Sequence, residues 1–100
     1  MAQKIIVYWR DIPAQVIIKK GRKTAKRELE ERFIQAVDRC AMRVGARDTD
    51  AYLAEWRRGE PVECGDDLEA EADTAKAAIE TDYTNARLKA LIDNEGFTHD

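Results

Sequence analysis

The chain opens with two short runs of β-branched and aromatic residues, which predict two β-strands. The first run reads KIIVYW from Lys4 and the second reads AQVIIK from Ala14. Between them, Asp11 and Pro13 are typical of a tight turn, so the pair predicts an antiparallel hairpin with strands over about 4–9 and 14–19. Because both runs are apolar at nearly every position, we expect helices to cover one face of the hairpin and part of the other.

Apolar residues that recur every three or four positions predict helices after the hairpin. The first helix is predicted over about 25–44, after a turn at Gly21, with Thr24 as its N-terminal cap and Gly45 as its end. A second, shorter helix is predicted over about 49–58. The hairpin should pack on the first of these two helices.

A third helix is predicted over about 67–93, where Asp66 begins it and Glu69 has the spacing of a capping box. Near Thr84 its apolar stripe changes face. Either the helix bends there or it exposes a second apolar patch for a partner, formed by Leu88, Leu91 and Ile92.

The expected fold class is therefore α+β, with an N-terminal antiparallel β-hairpin packed against three helices. Residues 61–65 form a loop in this scheme, or a third short strand that completes the sheet. The sequence has 100 residues and no internal repeat or linker, so residues 1–100 are predicted to form a single domain.

Charge is distributed unevenly along the chain. Residues 1–58 carry 14 basic and 8 acidic residues, a net +6, and residues 59–100 carry 3 and 12, a net −9, which together give the formal −3. Opposite halves of this kind attract each other within one fold, or pair head to tail between copies as a homo-oligomer.

Six cations fall within nine positions where the predicted first helix begins: Lys19, Lys20, Arg22, Lys23, Lys26 and Arg27. At a helix N-terminus they would bind an anion together with the unpaired backbone amides. Acidic proteins and phosphorylated small molecules are candidate partners, and the alternative is that the cations form a solvated charged face. Nucleic acid is disfavoured, because Glu28, Glu30 and Glu31 follow at once and no aromatic residues are interleaved.

Two Trp-Arg pairs are the other candidate binding residues. Trp9 and Arg10 lie at the predicted hairpin tip, and Trp56 and Arg57 end the predicted second helix. Trp and Arg dominate the hot spots of protein interfaces, so the pairs predict a docking surface. The alternative is that both indoles belong to the core of a domain that has few other large side chains.

The residues that catalysis most often requires are scarce. His99 is the single histidine, and the two cysteines, Cys40 and Cys64, are far apart in the sequence. We therefore expect no catalytic triad, no metal site and no cofactor, and the dinucleotide and P-loop motifs are absent. Cys64 is either an inert thiol or a reactive one that a helix start activates. No apolar run is long enough for a membrane span, which favours a cytoplasmic protein.

Three segments resemble a known family. The sequence YWRDIPAQV from Tyr8, the basic turn at 19–23 and the sequence AYLAEW from Ala51 are similar to the small bacterial family labelled virulence factor, and to the C-terminal domain of conserved virulence factor C proteins. Family members are often encoded beside folate-dependent and methyl-transfer enzymes, which implies an accessory role in one-carbon metabolism.

Taken together, these patterns predict a non-enzymatic module that binds a protein partner through its hairpin tip, basic turn or C-terminal apolar patch. An accessory subunit for a folate-dependent or methyl-transfer enzyme is one alternative, and that subunit would complete or bind an anionic cofactor such as a folate. A nucleic-acid-binding regulator that uses the basic turn is the other.

Overall fold

The structure, a computed structural model, describes residues 2–46 and 48–98, so His99 lies outside the described residues. Within them, five strands form one antiparallel sheet and four helices pack on it, which confirms the α+β prediction. In chain order the elements are β1 (Ala2–Trp9), β2 (Ile12–Lys20), β3 (Lys23–Glu28), α1 (Glu31–Arg43), α2 (Thr49–Ala54), β4 (Trp56–Arg58), β5 (Val62–Cys64), α3 (Leu68–Asp82) and α4 (Asn85–Asp93).

Strand β1 is central, with β2 on one side and the two short strands β4 and β5 on the other. Its register with β2 shifts between Val7 and Tyr8, because Ala14 is an extra residue in β2. The turn of the hairpin consists of Arg10 and Asp11. The expectation that Pro13 belongs to the turn is wrong, because Pro13 is buried within β2.

The predicted start of the first helix is also wrong. Residues 23–28 form β3, and α1 begins only at Glu31. Gly21 has a φ of +58° in the tight turn after β2, which returns the chain antiparallel to that strand. Thr24 therefore pairs with Lys19 across the ladder instead of capping a helix. Pairing with β2 and burial of Ala25 outweigh the helical spacing of this segment.

The other helix ends differ less from the prediction. Gly45, at a φ of +79°, follows the end of α1 as expected, and Asp48 caps α2 by accepting a hydrogen bond from the amide of Ala51. The predicted helix over 49–58 ends at Ala54, however, because residues 56–58 pair with the end of β1 as β4. Residues 62–64 form β5, which decides between a loop and a strand in favour of the strand.

The predicted helix over 67–93 is two helices that meet at Tyr83 and Thr84. Asp67, and not Asp66, caps α3, and Thr84 caps α4 by accepting from the amide of Arg87. The break turns α4 so that Leu88 and Leu91 are buried, at 4% and 5% exposure. The bend is thus confirmed, and the exposed C-terminal apolar patch is wrong.

All buried residues of the helices contribute to one core cluster. Val16 and Ile18 of β2 point into this cluster. Ile5 and Ile17 oppose each other on neighbouring strands and alternate to the other side, and they do not belong to the cluster. We call this second side of the sheet the open face. Ile5 and Ile17 are themselves buried, at 7% and 6% exposure, whereas Lys19 and Lys26 on the same face are exposed.

Candidate interaction surface

The two tryptophans differ in exposure. Trp9 is 0% exposed, and its indole Nε1 donates a hydrogen bond of 2.9 Å to the carbonyl of Tyr52. Trp56 is half-buried and packs edge-on against the ring of Tyr52, with centroids 6.0 Å apart. Trp9 is thus a core residue and offers nothing to a partner, whereas Trp56 keeps an accessible surface.

Arg10 and Arg57 hold the hairpin tip in place. Arg10 adopts a φ of +54°, and its Nε donates to Glu55 at 2.6 Å while another guanidinium nitrogen donates to the carbonyl of Glu95 at 2.6 Å. Arg57 donates to the carbonyl of Arg10 and forms an ion pair with Asp11 at 2.8 Å. These contacts tie the tip to the α2–β4 junction and to the C-terminal segment. The tip is therefore a structural clamp.

Asp11 joins three parts of this clamp. One carboxylate oxygen accepts from Arg57, and the other accepts from the backbone amide of Thr98 at 2.7 Å. Burial by itself raises the pKa of Asp11, but the hydrogen bonds from Thr98 and Arg57 outweigh it and hold the pKa below the ordinary value of 3.8. The folded state therefore favours the charged carboxylate.

This pKa shift gives the clamp a defined pH dependence. Because the pKa of Asp11 is lowered by folding, its stabilisation is present above the unfolded-state pKa and is lost as pH falls through the lower folded-state pKa. We expect Asp11→Asn to lower the free energy of unfolding by about 1 kcal/mol at pH 7, an effect that shrinks below about pH 4. Urea denaturation of both proteins across this range measures the difference, and a difference independent of pH would contradict it.

The six clustered cations lie on the β2–β3 hairpin, so the expected helix N-terminus with its free amides is absent from this site. Strand alternation also divides them. Lys19 and Lys26 lie on the open face with Ile17. Lys19 follows Ile17 by two positions in β2, and Lys26 is opposite Ile17 in β3. Lys20, Lys23 and Arg27 lie on the helix side, and Arg22 is in the turn. The cluster is therefore not one continuous basic surface.

Carboxylates on α3 and just before it neutralise part of the helix-side group. Arg27 forms ion pairs with Glu69 and Asp73, which raise its pKa, and Lys20 lies 3.5 Å from a carboxylate oxygen of Asp66. The basic and acidic halves of the sequence thus meet within one molecule. Both this pairing and the division of the cluster weaken the case for a nucleic-acid surface, which needs adjacent unpaired cations.

An apolar cleft lies where the open face meets the start of α1, and we call it the open-face cleft. Its volume is about 400 Å³. Val7, Gln15 and Glu28 form one row across three strands at its base. The lining residues are Val7, Ala14, Gln15, Glu28, Leu29, Glu31, Ile34 and Trp56. The register shift places the extra residue of β2, Ala14, in this lining.

Of the residues proposed from the sequence, only Trp56 lines the open-face cleft. Ile34 is the most informative omission, because it is 41% exposed on α1. Its signal in the sequence is a large apolar residue outside the stripe formed by Phe33, Val37 and Cys40. Val7 has no such signal, since the strand sequence does not show which of its faces borders the cleft.

The two thiols are protected from ionisation. Desolvation raises the pKa of the buried Cys40, and desolvation followed by the charge of Glu71 raises the pKa of the half-buried Cys64. These shifts favour an inert thiol at Cys64.

None of the helices within residues 2–46 and 48–98 combines the length and apolar composition needed to cross a membrane.

The fold and surface define an α+β protein with a five-stranded antiparallel sheet, four helices within the described residues, and a cleft where the open face meets the start of α1. The chain belongs to the family described as virulence factor, whose family model matches residues 7–92 and so confirms the resemblance seen in the sequence. Comparison with curated proteins found no match, and comparison with solved structures found none either.

Proposed function

We propose that this member of the virulence factor family is a non-enzymatic module that docks a protein partner in the open-face cleft. The supporting observation is a cleft of about 400 Å³, lined by half-buried Trp56 and exposed Ile34, where strand residues of the open face meet the start of α1. Exposed apolar residues around a concave site are typical of protein docking surfaces, where an aromatic anchor supplies much of the binding energy.

The lining residues favour recognition over chemistry. Glu28 and Glu31 are the titratable groups of the cleft, and both carboxylates are exposed. Within the described residues, neither has a cation within 4.0 Å. Exposed carboxylates without a nucleophile or an acid partner beside them are suited to binding a cation.

These charges define the chemistry of the partner. An apolar side chain would enter between Val7 and Ile34, and a neighbouring Lys or Arg would pair with Glu28 or Glu31. We therefore propose a partner segment with an apolar anchor flanked by basic residues. The accessory role beside a folate-dependent or methyl-transfer enzyme would be one form of this docking, with the enzyme presenting the segment.

The test uses two peptides and a matched pair of variants. The isotope-labelled protein is titrated with a short peptide that carries one Phe flanked by Lys, and with the same peptide in which Glu replaces Lys. We expect amide shifts at Val7, Ile34 and Trp56, and weaker binding of the acidic peptide. Ile34→Glu should weaken binding of the basic peptide at least tenfold, about 1.4 kcal/mol.

Met42→Glu is the control, because Met42 is 65% exposed on the same helix but does not line the cleft. It adds the same charge and should leave the affinity within about twofold. Equal affinity for the two peptides would contradict the proposed partner chemistry. Equal effects of the two variants, or shifts located elsewhere, would contradict the cleft as the docking site.

A further inference from the structure

A second concave site lies between α1 and α4. The groove has a volume of about 550 Å³. Buried Ala36 and Leu88 and half-buried Ile92 give it an apolar floor. The lining residues are Arg32, Gln35, Ala36, Arg39, Asn85, Leu88, Lys89, Ile92 and Asp93. It shares no residue with the open-face cleft.

The walls of this groove carry unneutralised positive charge. Arg39 on α1 and Lys89 on α4 are exposed, and neither has a carboxylate within 4.0 Å among the described residues. Asp93 is four positions after Lys89 on α4 but forms no ion pair with it. A helical pair in which the cation precedes the carboxylate is weaker than one in which the carboxylate comes first. Arg39 and Lys89 differ in this respect from Lys20 and Arg27 of the β2–β3 hairpin, which have carboxylates of Asp66, Glu69 and Asp73 beside them.

Arg32 fixes one end of the groove. Its guanidinium donates to the carbonyls of Glu80 and Tyr83, where α3 ends, and to the side-chain oxygen of Asn85. Its Nε forms an ion pair with Glu30 at 2.8 Å. These bonds hold α1 against the α3–α4 junction, so the groove is a preformed surface between two anchored helices. Preformed sites lose less conformational entropy when a ligand binds.

We propose that the α1–α4 groove binds an organic anion, a small molecule with an apolar body and a carboxylate, sulfonate or phosphate group. The body would lie on Leu88 and Ile92, and the anionic group would lie between Arg39 and Lys89. The side-chain amide of Gln35 supplies a further donor on the α1 wall. The volume is in the range of small-molecule sites, and an apolar floor with a few polar groups is their usual composition. This site is independent of the proposed docking function.

The test uses anilinonaphthalene sulfonate as the organic anion, with the uncharged phenylnaphthylamine and inorganic phosphate as comparison probes. Fluorescence and amide-shift titrations at low salt should place the sulfonate on α1 and α4. Arg39→Gln combined with Lys89→Gln should weaken its binding at least tenfold, and added salt should weaken binding to the native protein. Asp93→Asn should tighten it severalfold, because that substitution removes the opposing carboxylate.

Lys19→Gln combined with Lys26→Gln is the control, since it removes the same charge from the open face and should change the affinity by less than about twofold. Equal loss in both double variants would overturn the proposal, because total charge and not the groove would then control binding. Equal affinity for the uncharged probe would also overturn it, because the anionic group would then contribute nothing to binding. Loss of binding on Ile34→Glu in place of the groove variants would overturn it too, because the ligand would then lie in the open-face cleft.

Discussion

Replacing Trp9 by alanine should lower the free energy of unfolding by about 3–5 kcal/mol, the usual cost of removing a fully buried large aromatic side chain. Trp9 is 0% exposed, and its indole donates to the carbonyl of Tyr52 at 2.9 Å. The substitution therefore creates a cavity and removes one of the two donors to the Tyr52 carbonyl, which keeps the amide of Glu55 at 3.4 Å. Because small domains have total stabilities of about 5–15 kcal/mol, this variant should be close to unfolding at moderate temperature.

Urea denaturation followed by far-ultraviolet circular dichroism measures this loss. Trp9→Phe separates the two contributions, because it keeps most of the packing and removes the donor, and we expect it to cost about 1–2 kcal/mol. Leu53→Ala is the control at an exposed position, since Leu53 is 57% exposed, and it should cost about 0.5 kcal/mol or less. A Trp9→Ala loss as small as that of Leu53→Ala would contradict the core assignment.

Local patterns in the sequence were sufficient where one element decides its own structure. The Ile-rich strands, the amphipathic α1 and the end of α1 at Gly45 were all predicted, because side-chain periodicity and a left-handed cap are local properties. A change of apolar face was visible near Thr84, and a bend was one of the two structures it predicted. The α+β class follows from these elements alone.

The errors arise where pairing with a distant segment decides the structure. The sequence of β3 contains Ala25 and long charged side chains that suit a helix, but the turn at Gly21 brings it beside β2, and the ladder determines the result. Residues 56–58 are similar, because Arg57 and Trp56 become strand residues only by pairing with β1. A local pattern does not contain this information.

The same reason explains what was found and missed in the candidate surface. A Trp-Arg pair predicts an anchor but not its burial, and the fold placed Trp9 in the core and Trp56 at the cleft. Six neighbouring cations suggested one patch, yet alternation along β2 and β3 sent Lys26 and Arg27 to opposite sides. The open-face cleft combines residues from β1, β2, β3, α1 and β4, so it exists only in the folded chain.

Replacing Gly96 by alanine should cost about 2–4 kcal/mol, although it adds one methyl group. Gly96 has a φ of +90°, which disfavours any residue with a Cβ. Its amide donates to the carbonyl of Leu91 at 2.7 Å, and its carbonyl accepts from the backbone amide of Asp11 at 2.8 Å, so the backbone is held on both sides. A Cβ there would lie 2.9 Å from Cδ of Arg10 and 3.0 Å from the sulfur of Cys40. The close contacts add to the conformational cost.

Gly45→Ala separates these two costs. Gly45 has a similar φ of +79°, but an added Cβ would have no atom within 4 Å, so only the conformational cost remains, about 1 kcal/mol. Thermal and urea denaturation of both variants give the difference. Cys40→Ala should reduce the cost of Gly96→Ala, because removal of the sulfur makes room for the methyl group. If the two glycine variants lost equal stability, the C-terminal segment would not be packed against the hairpin tip in the way that the clamp requires.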